Sequence, residues 1–514
     1  MTRALAGALV GLALAAGLGL RLARLDTRPM HHDEANQAVK FGALLERGEY
    51  RYDASDHHGP TLYYLTLPAA WLRGQHTLAS LDENTLRGVT VVAGAATILL
   101  LPLLSAAIGR TSVAASAWLM ALSPVMVFYS RMYIQESLFA AFALAFAIAL
   151  GRAVTESGLV WPVIAGLVAG LALATKETSV LVLPAAVVAC GAAWWSVGGA
   201  RPSLARDRQA FVAGLATAAA IVVLFYSSFF TAPASLLEPF RGAGTYVNRG
   251  LEPSAHAHAW HYYIGLLAYS SSGGLTWSEG IVLLLALGGL WSAWRGDVEP
   301  IPGRLFWTRY LAGYAILTSA IFSVLPYKTP WNILPFYAGV LVVAGIGFSW
   351  LVRATPSRLA RAAITAVVAI ASLQLGWQAW RASVTYAADP RNPYVYAQTV
   401  PDAVRMASRI RDLAALDSHG VAMQVSVIAS PYEQWPLPWY LRAMPNVGYW
   451  IDAGDPVAMQ APVIVSSMDH APALDSALGD RYVSEFYGLR PNVLLSLYVE
   501  RDLWNRFLAH AASE

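Results

Sequence analysis

Apolar runs of about 17–22 residues recur along this chain, separated by short polar turns, and each is long enough to span a bilayer as a helix. They predict helices at about 4–22, 88–108, 112–129, 134–151, 159–175, 178–198, 210–230, 276–294, 310–325, 331–351 and 362–380. That is about eleven, an odd number, so the termini are expected on opposite sides, with the N-terminus inside. The first run follows Arg3 like a signal sequence, but no clear small-x-small site follows it, and it is read as an uncleaved first helix.

Three longer pieces interrupt the pattern: 25–86, 231–275 and 381–514. Within the first, stretches at about 34–47 and 60–73 have helical character and suit the membrane surface, with Gly48 as a C-terminal cap and Pro60 in a first turn. The last piece changes period. VAMQVSVIAS, APVIVSS and VLLSLYVE are short β-rich runs, and about 398–415 and 500–511 look helical. The expected fold class is therefore an α-helical polytopic membrane domain, residues 1–380, followed by an extracytoplasmic soluble α/β domain, residues 381–514.

Composition agrees. The 514 residues are 56% hydrophobic and 13% charged, where a soluble protein carries about 25% charged residues. Cys190 is the only cysteine, which excludes an intrachain disulfide. The net charge of +3 decides little, and no nucleic-acid partner is expected; charge position matters more. One set of short loops carries Arg110, Arg152, Arg201, Arg206, Arg208, Arg295, Arg304, Arg309, Arg353, Arg358 and Arg361. The opposite short loops carry Arg131, Lys176 and Lys328. The positive-inside rule assigns the arginine-rich set to the cytoplasm and the three long pieces to the outside. Arg21, Arg24 and Arg28 vote locally the other way.

The expected outer face collects the polar chemistry. RPMHHDEANQAVK, residues 28–40, sets His31, His32, Asp33 and Glu34 directly after the first apolar run. Asp33 either caps the helix that follows or belongs to a site at the membrane surface. Lysine occurs three times, as Lys40, Lys176 and Lys328, all on that side, and an ammonium is a good phosphate partner. Lys176 and Glu177 share one tight turn, Arg131 and Glu136 another, and Tyr327, Lys328 and Trp331 a third. Each such charge could simply cap a helix or reach into water. Together with the two carboxylates of the first loop they predict an outward polar cavity roofed by the C-terminal domain. His31, His32, His57, His58, His256, His258 and His261 could bind Zn²⁺ or Mn²⁺ with Asp33, but no pair has decisive ligand spacing, and no cofactor is required.

In order along the chain, HHDEA, DHHGPTLYYLTLP, FYSRMYIQESLFA, GLALATKETS and LPYKTPWNILPF resemble the GT-C superfamily of membrane glycosyltransferases. The similarity is to its protein O-mannosyltransferase and aminoarabinose-transferase branch, near the flippase-activity-associated prokaryotic proteins. NPYVYAQT and YEQWPLPWYLR extend it into the C-terminal domain. The resemblance implies transfer of one sugar from a polyprenyl-phosphate carrier to a hydroxyl of a protein, lipid or glycan acceptor outside the cytoplasm. It implies Asp33 as catalytic base with Glu34 its acidic neighbour, and Arg131 and Glu136 at the donor site. Lys176, Glu177, Tyr327 and Lys328 are candidates for the donor phosphate, and His32, His57, His58, His258 and Trp331 for substrate contact. Two other classes compete: a lipid-linked-sugar flippase or transporter, and a non-catalytic envelope-assembly protein sharing the fold.

Overall fold

The computed structural model describes residues 1–48, 50–53, 58–198, 204–239, 241 and 256–513. Every apolar run is helical. Seven helices among the described residues are long and apolar enough to cross a membrane, including α1 (Arg3–Leu22), and two apolar helices are shorter, Val160–Leu173 and Gly280–Arg295. The run at 112–129 is split into Arg110–Leu122 and Pro124–Tyr129, because Pro124 opens a new helix after the Ser123 cap.

Helices pack through small residues where lipid gives no hydrophobic drive for association. Helices Gly280–Arg295 and Leu334–Ala354 approach until a Cβ on Gly347 would lie 1.8 Å from the Leu285 carbonyl oxygen, and one on Gly289 2.2 Å from that of Val343.

The first outer piece forms α2 (His32–Arg47) and α3 (Thr61–Leu72), as expected. Gly48 closes α2 in the left-handed conformation at φ 67°. Asp33 does not cap α2. His31 does, its Nδ1 accepting from the Asp33 amide while Glu34 returns to the His31 amide. α4 (Glu83–Leu100) then enters the helical body.

The C-terminal region builds a five-stranded sheet from β3 (Val425–Ile428), β4 (Val447–Trp450), β5 (Val463–Ser467), β6 (Tyr482–Arg490) and β7 (Val493–Glu500), after a small hairpin of β1 (Ser270–Ser272) and β2 (Leu275–Trp277) earlier in the chain. Its order is β4-β3-β5-β7-β6, parallel at β4-β3-β5 and antiparallel beyond. Helices Pro401–Leu416 and Arg501–Ala511 flank it. It rests on the first loop: the Met30 amide donates to the Tyr440 hydroxyl at 2.7 Å, Gln398 Nε2 to the Pro29 carbonyl at 2.8 Å, and Trp439 Nε1 to Glu83 at 2.8 Å.

Candidate active site

Glu34 is the anchor of the HHDE segment. Its side chain is fully buried, with Arg28 Nη2 at 3.0 Å and Arg87 Nε at 2.9 Å. The amides of His31 and Tyr133 also donate to it, at 3.0 and 2.9 Å. Burial alone would raise its pKa; the Arg28 and Arg87 charges and these hydrogen bonds outweigh that and hold it down to about 2. Expected beside Asp33 as a catalytic group, Glu34 is buried with both oxygens occupied by donors. Arg87 is an anchor the sequence reading passed over, a charge at the edge of an apolar helix.

Arg131 needs a similar correction. Its guanidinium donates to the carbonyls of Leu20, Arg21, Ala23 and Arg24, at 2.7–3.0 Å. It closes the C-terminal end of α1, satisfying carbonyls that have no helical partner.

Asp33 differs from both. Its side chain is 42% exposed, and its closest charged-type neighbour is His31 Nδ1 at 3.8 Å. That nitrogen accepts from the Asp33 amide at 3.1 Å, so it carries no proton, and His31 Nε2 donates to the Tyr396 carbonyl at 2.9 Å. No donor among the described residues hydrogen-bonds the Asp33 carboxylate.

The other motifs gather around this point. The His31 ring meets Trp331 edge-on at 5.6 Å, and Trp331 meets Tyr396 at 5.7 Å. Next to Trp331, Asn332 Oδ1 accepts from Lys176 Nζ at 2.9 Å, and Lys176 also pairs with Glu136. The second outer piece pairs with the Lys328 turn through a bridge between Ala257 and Tyr327. Lys328 Nζ donates to the carbonyls of His258, at 3.0 Å, and Leu325. The Tyr327 ring lies 4.9 Å from His256, whose Nδ1 meets the Tyr396 hydroxyl at 2.5 Å. Lys176 and Lys328 are both buried. Each has two partners for its three donors, leaving one N–H on each without a partner among the described residues. Lys40 lies two turns along α2 from Asp33.

His58 and Glu177 form an ion pair at 2.9 Å. Burial pushes the His58 pKa down, but the Glu177 carboxylate outweighs it and the pKa is raised; burial raises that of Glu177, and His58 more than reverses it. The pair straps the first loop onto the Lys176 turn, where the Gly59 amide donates to Thr175 at 3.1 Å. A Cβ on Gly59 would lie 2.2 Å from the Ala174 carbonyl oxygen, so only glycine permits this approach. His258 stacks on Tyr262 at 4.3 Å with its Nε2 buried and unpartnered; burial and then the Lys328 and His256 charges lower its pKa. His32 lies 6.1 Å from Tyr432 and 6.0 Å from Trp435. His57 lies outside the described residues.

Among the described residues no three His, Cys, Asp or Glu side chains gather as a metal site. His31 uses both ring nitrogens, and His58 is committed to Glu177.

Tyr396, Asn332, Tyr432 and Trp435 were not singled out by sequence reasoning. They lie in NPYVYAQT, LPYKTPWN and YEQWPLPWYLR, stretches whose resemblance was visible but whose chemistry depends on what they fold against.

Residues 66–227 match the family model described as dolichyl-phosphate-mannose-protein mannosyltransferase. No curated protein matches the chain. Its structure is similar to that of ArnT from Cupriavidus metallidurans in the apo state, with TM-score 0.62, 14% identity, and 96% of this chain and 98% of that chain covered. The same ArnT bound to undecaprenyl phosphate gives TM-score 0.61 at 14% identity, covering 97% and 98%. Archaeal oligosaccharyltransferase AglB from Archaeoglobus fulgidus, in complex with an inhibitory peptide and a dolichol-phosphate, gives TM-score 0.59 at 13% identity, covering 98% and 77%. The architecture is the GT-C fold of membrane glycosyltransferases, an α-helical multi-pass membrane body with a C-terminal sheet.

Proposed function

We propose that this protein transfers a glycosyl unit from a polyprenyl-phosphate-linked donor to a hydroxyl acceptor at the outer face of the membrane, with Asp33 as general base. The observation that carries the reading is the contrast between Asp33 and its neighbours. Glu34, Glu136 and Glu177 are each neutralised by a cation, whereas Asp33 stands half-exposed with no donor on its carboxylate. A general base needs an open lone pair within reach of the acceptor proton.

In this reaction the acceptor oxygen forms a bond to the anomeric carbon and its proton passes to Asp33. The bond from that carbon to the phosphate oxygen breaks, and the phosphate leaves with the electron pair. The remaining N–H groups of Lys176 and Lys328 are suited to the charge growing on that phosphate. The match to the mannosyltransferase family model and the lipid phosphates bound to ArnT and AglB support a lipid-linked donor. The arginine-rich loops on the opposite side support an outward site.

Purified protein in liposomes, given undecaprenyl-phosphate-mannose or the corresponding glucose and arabinose lipids, should release undecaprenyl phosphate from at least one of them. Asp33→Asn should lower that turnover by about 100-fold or more, the usual scale of a lost general base, with an unchanged melting temperature. Equal turnover by the variant removes Asp33 from the role. Lipid scrambling without any cleavage replaces the transferase with a flippase.

A further inference from the structure

The C-terminal domain places a short turn beside His32, the neighbour of Asp33. The segment Pro431–Gln434 is held rigidly at its base. Gln434 Nε2 donates to the carbonyls of Ala429, at 2.9 Å, and Trp450, at 3.2 Å, tying it to the ends of β3 and β4. The Ser430 hydroxyl donates to Glu433 at 2.7 Å. On this turn Tyr432 is 74% exposed, so its ring is open to a ligand. Trp435 follows it, and both rings face His32, the residue next to Asp33.

Arg490 completes the surface. A register shift between Gly488 and Arg490 breaks the β6 ladder and redirects the side chain. Its Nη2 donates to the Tyr432 carbonyl, while its Nε is buried with no partner among the described residues. Asp33 and Glu433 both act on it electrostatically. Two carboxylates against one guanidinium leave this patch with no surplus positive charge, which opposes an anionic acceptor.

Resting on the transferase reading above, we infer that Tyr432, Trp435 and Arg490 form an acceptor subsite for a neutral glycan, whose hydroxyl is delivered to Asp33. The apolar C–H face of a sugar ring packs on an aromatic face, and its hydroxyls take the polar groups at the rim. Arg490, whose Nη2 holds the Tyr432 carbonyl, fixes the turn that carries that ring.

Binding tests this without turnover. Full-length protein in nanodiscs is titrated calorimetrically with mannotriose, maltotriose and chitotriose, with mannose and mannose 6-phosphate, and with a serine- and threonine-rich peptide. At least one neutral trisaccharide should bind. Tyr432→Ala and Trp435→Ala should each weaken it about tenfold or more, the loss expected when a central aromatic anchor is truncated, and Tyr432→Phe, which keeps the ring, should bind like the natural protein. Mannose 6-phosphate should bind no tighter than mannose. If no trisaccharide distinguishes the natural protein from Tyr432→Ala, or if the peptide or the phosphorylated sugar is the ligand those substitutions weaken, the subsite is overturned. A protein that binds the trisaccharide through Tyr432 but never cleaves a lipid donor overturns the transferase reading and leaves the glycan subsite standing.

Discussion

Adjacent residues in the HHDE segment have opposite fates because a helix start points consecutive side chains in different directions. At the third helical position Glu34 turns inward, closes the capping box and meets two guanidinium groups. At the second, Asp33 turns out and keeps an open carboxylate. The buried charges of the anchor are mutually dependent. Glu34→Gln would leave Arg28 and Arg87 in the interior without their counter-ion, at a cost of about 3–5 kcal/mol. A lower melting temperature, together with lost activity, should show this in thermal unfolding of the detergent-solubilised variant. An unchanged melting temperature would mean the two arginines are satisfied elsewhere. By contrast, Asp33→Asn should leave stability alone, so stability and turnover together separate anchor from base.

Among the elements, helices were the most legible. Membrane-length apolar runs have one low-energy solution, in which every backbone group is paired within its own segment. In the sheet, the two strands the sequence did not announce, β4 and β6, are its edges. The interior strands β3 and β5 are buried on both faces and read as runs of valine and isoleucine with buried serines. Half-exposed edges mix Gly, Ser, Glu and Arg into the pattern and blur it. Close packing between helices is equally hidden in sequence, since a glycine does not say what lies against it. Gly347→Ala would drive a methyl group into the Leu285 backbone and push two helices apart, costing about 1–3 kcal/mol as an overpacked contact does. Its thermal unfolding should fall below that of Gly11→Ala, where no atom lies within 4 Å of the added carbon.

Over the whole molecule, described arginines of the arginine-rich loops reach backbone carbonyls elsewhere in the chain. Arg110 reaches the Met1 carbonyl at 3.4 Å, Arg309 that of Ser196 at 3.0 Å, and Arg353 that of Asp297 at 3.4 Å. Of the dissenting Arg21, Arg24 and Arg28, the first and last are buried in hydrogen bonds to protein, Arg21 to the Met120 and Ala121 carbonyls and Arg28 to Glu34, whereas Arg24 is exposed. The expected orientation can be read by labelling in a Cys190→Ala background. A cysteine introduced by Val421→Cys, at an exposed position, should react with an impermeant maleimide from outside intact cells. One introduced by Arg358→Cys should react only after permeabilisation. The reverse pattern would turn the site toward the cell interior and end the lipid-donor scheme.

Sequence alone determined the membrane class, the helical segments, the inner strands and the order of the polar turns. These follow from local hydrophobicity and backbone chemistry, which act over a few residues at a time. Which charges are spent on holding the fold and which remain open for chemistry was decided only by tertiary structure. Arg131, Glu34 and Asp33 are all strongly polar residues in one neighbourhood, and nothing local separates them. The difference arises when distant carbonyls and guanidinium groups reach the first two and leave the third unclaimed.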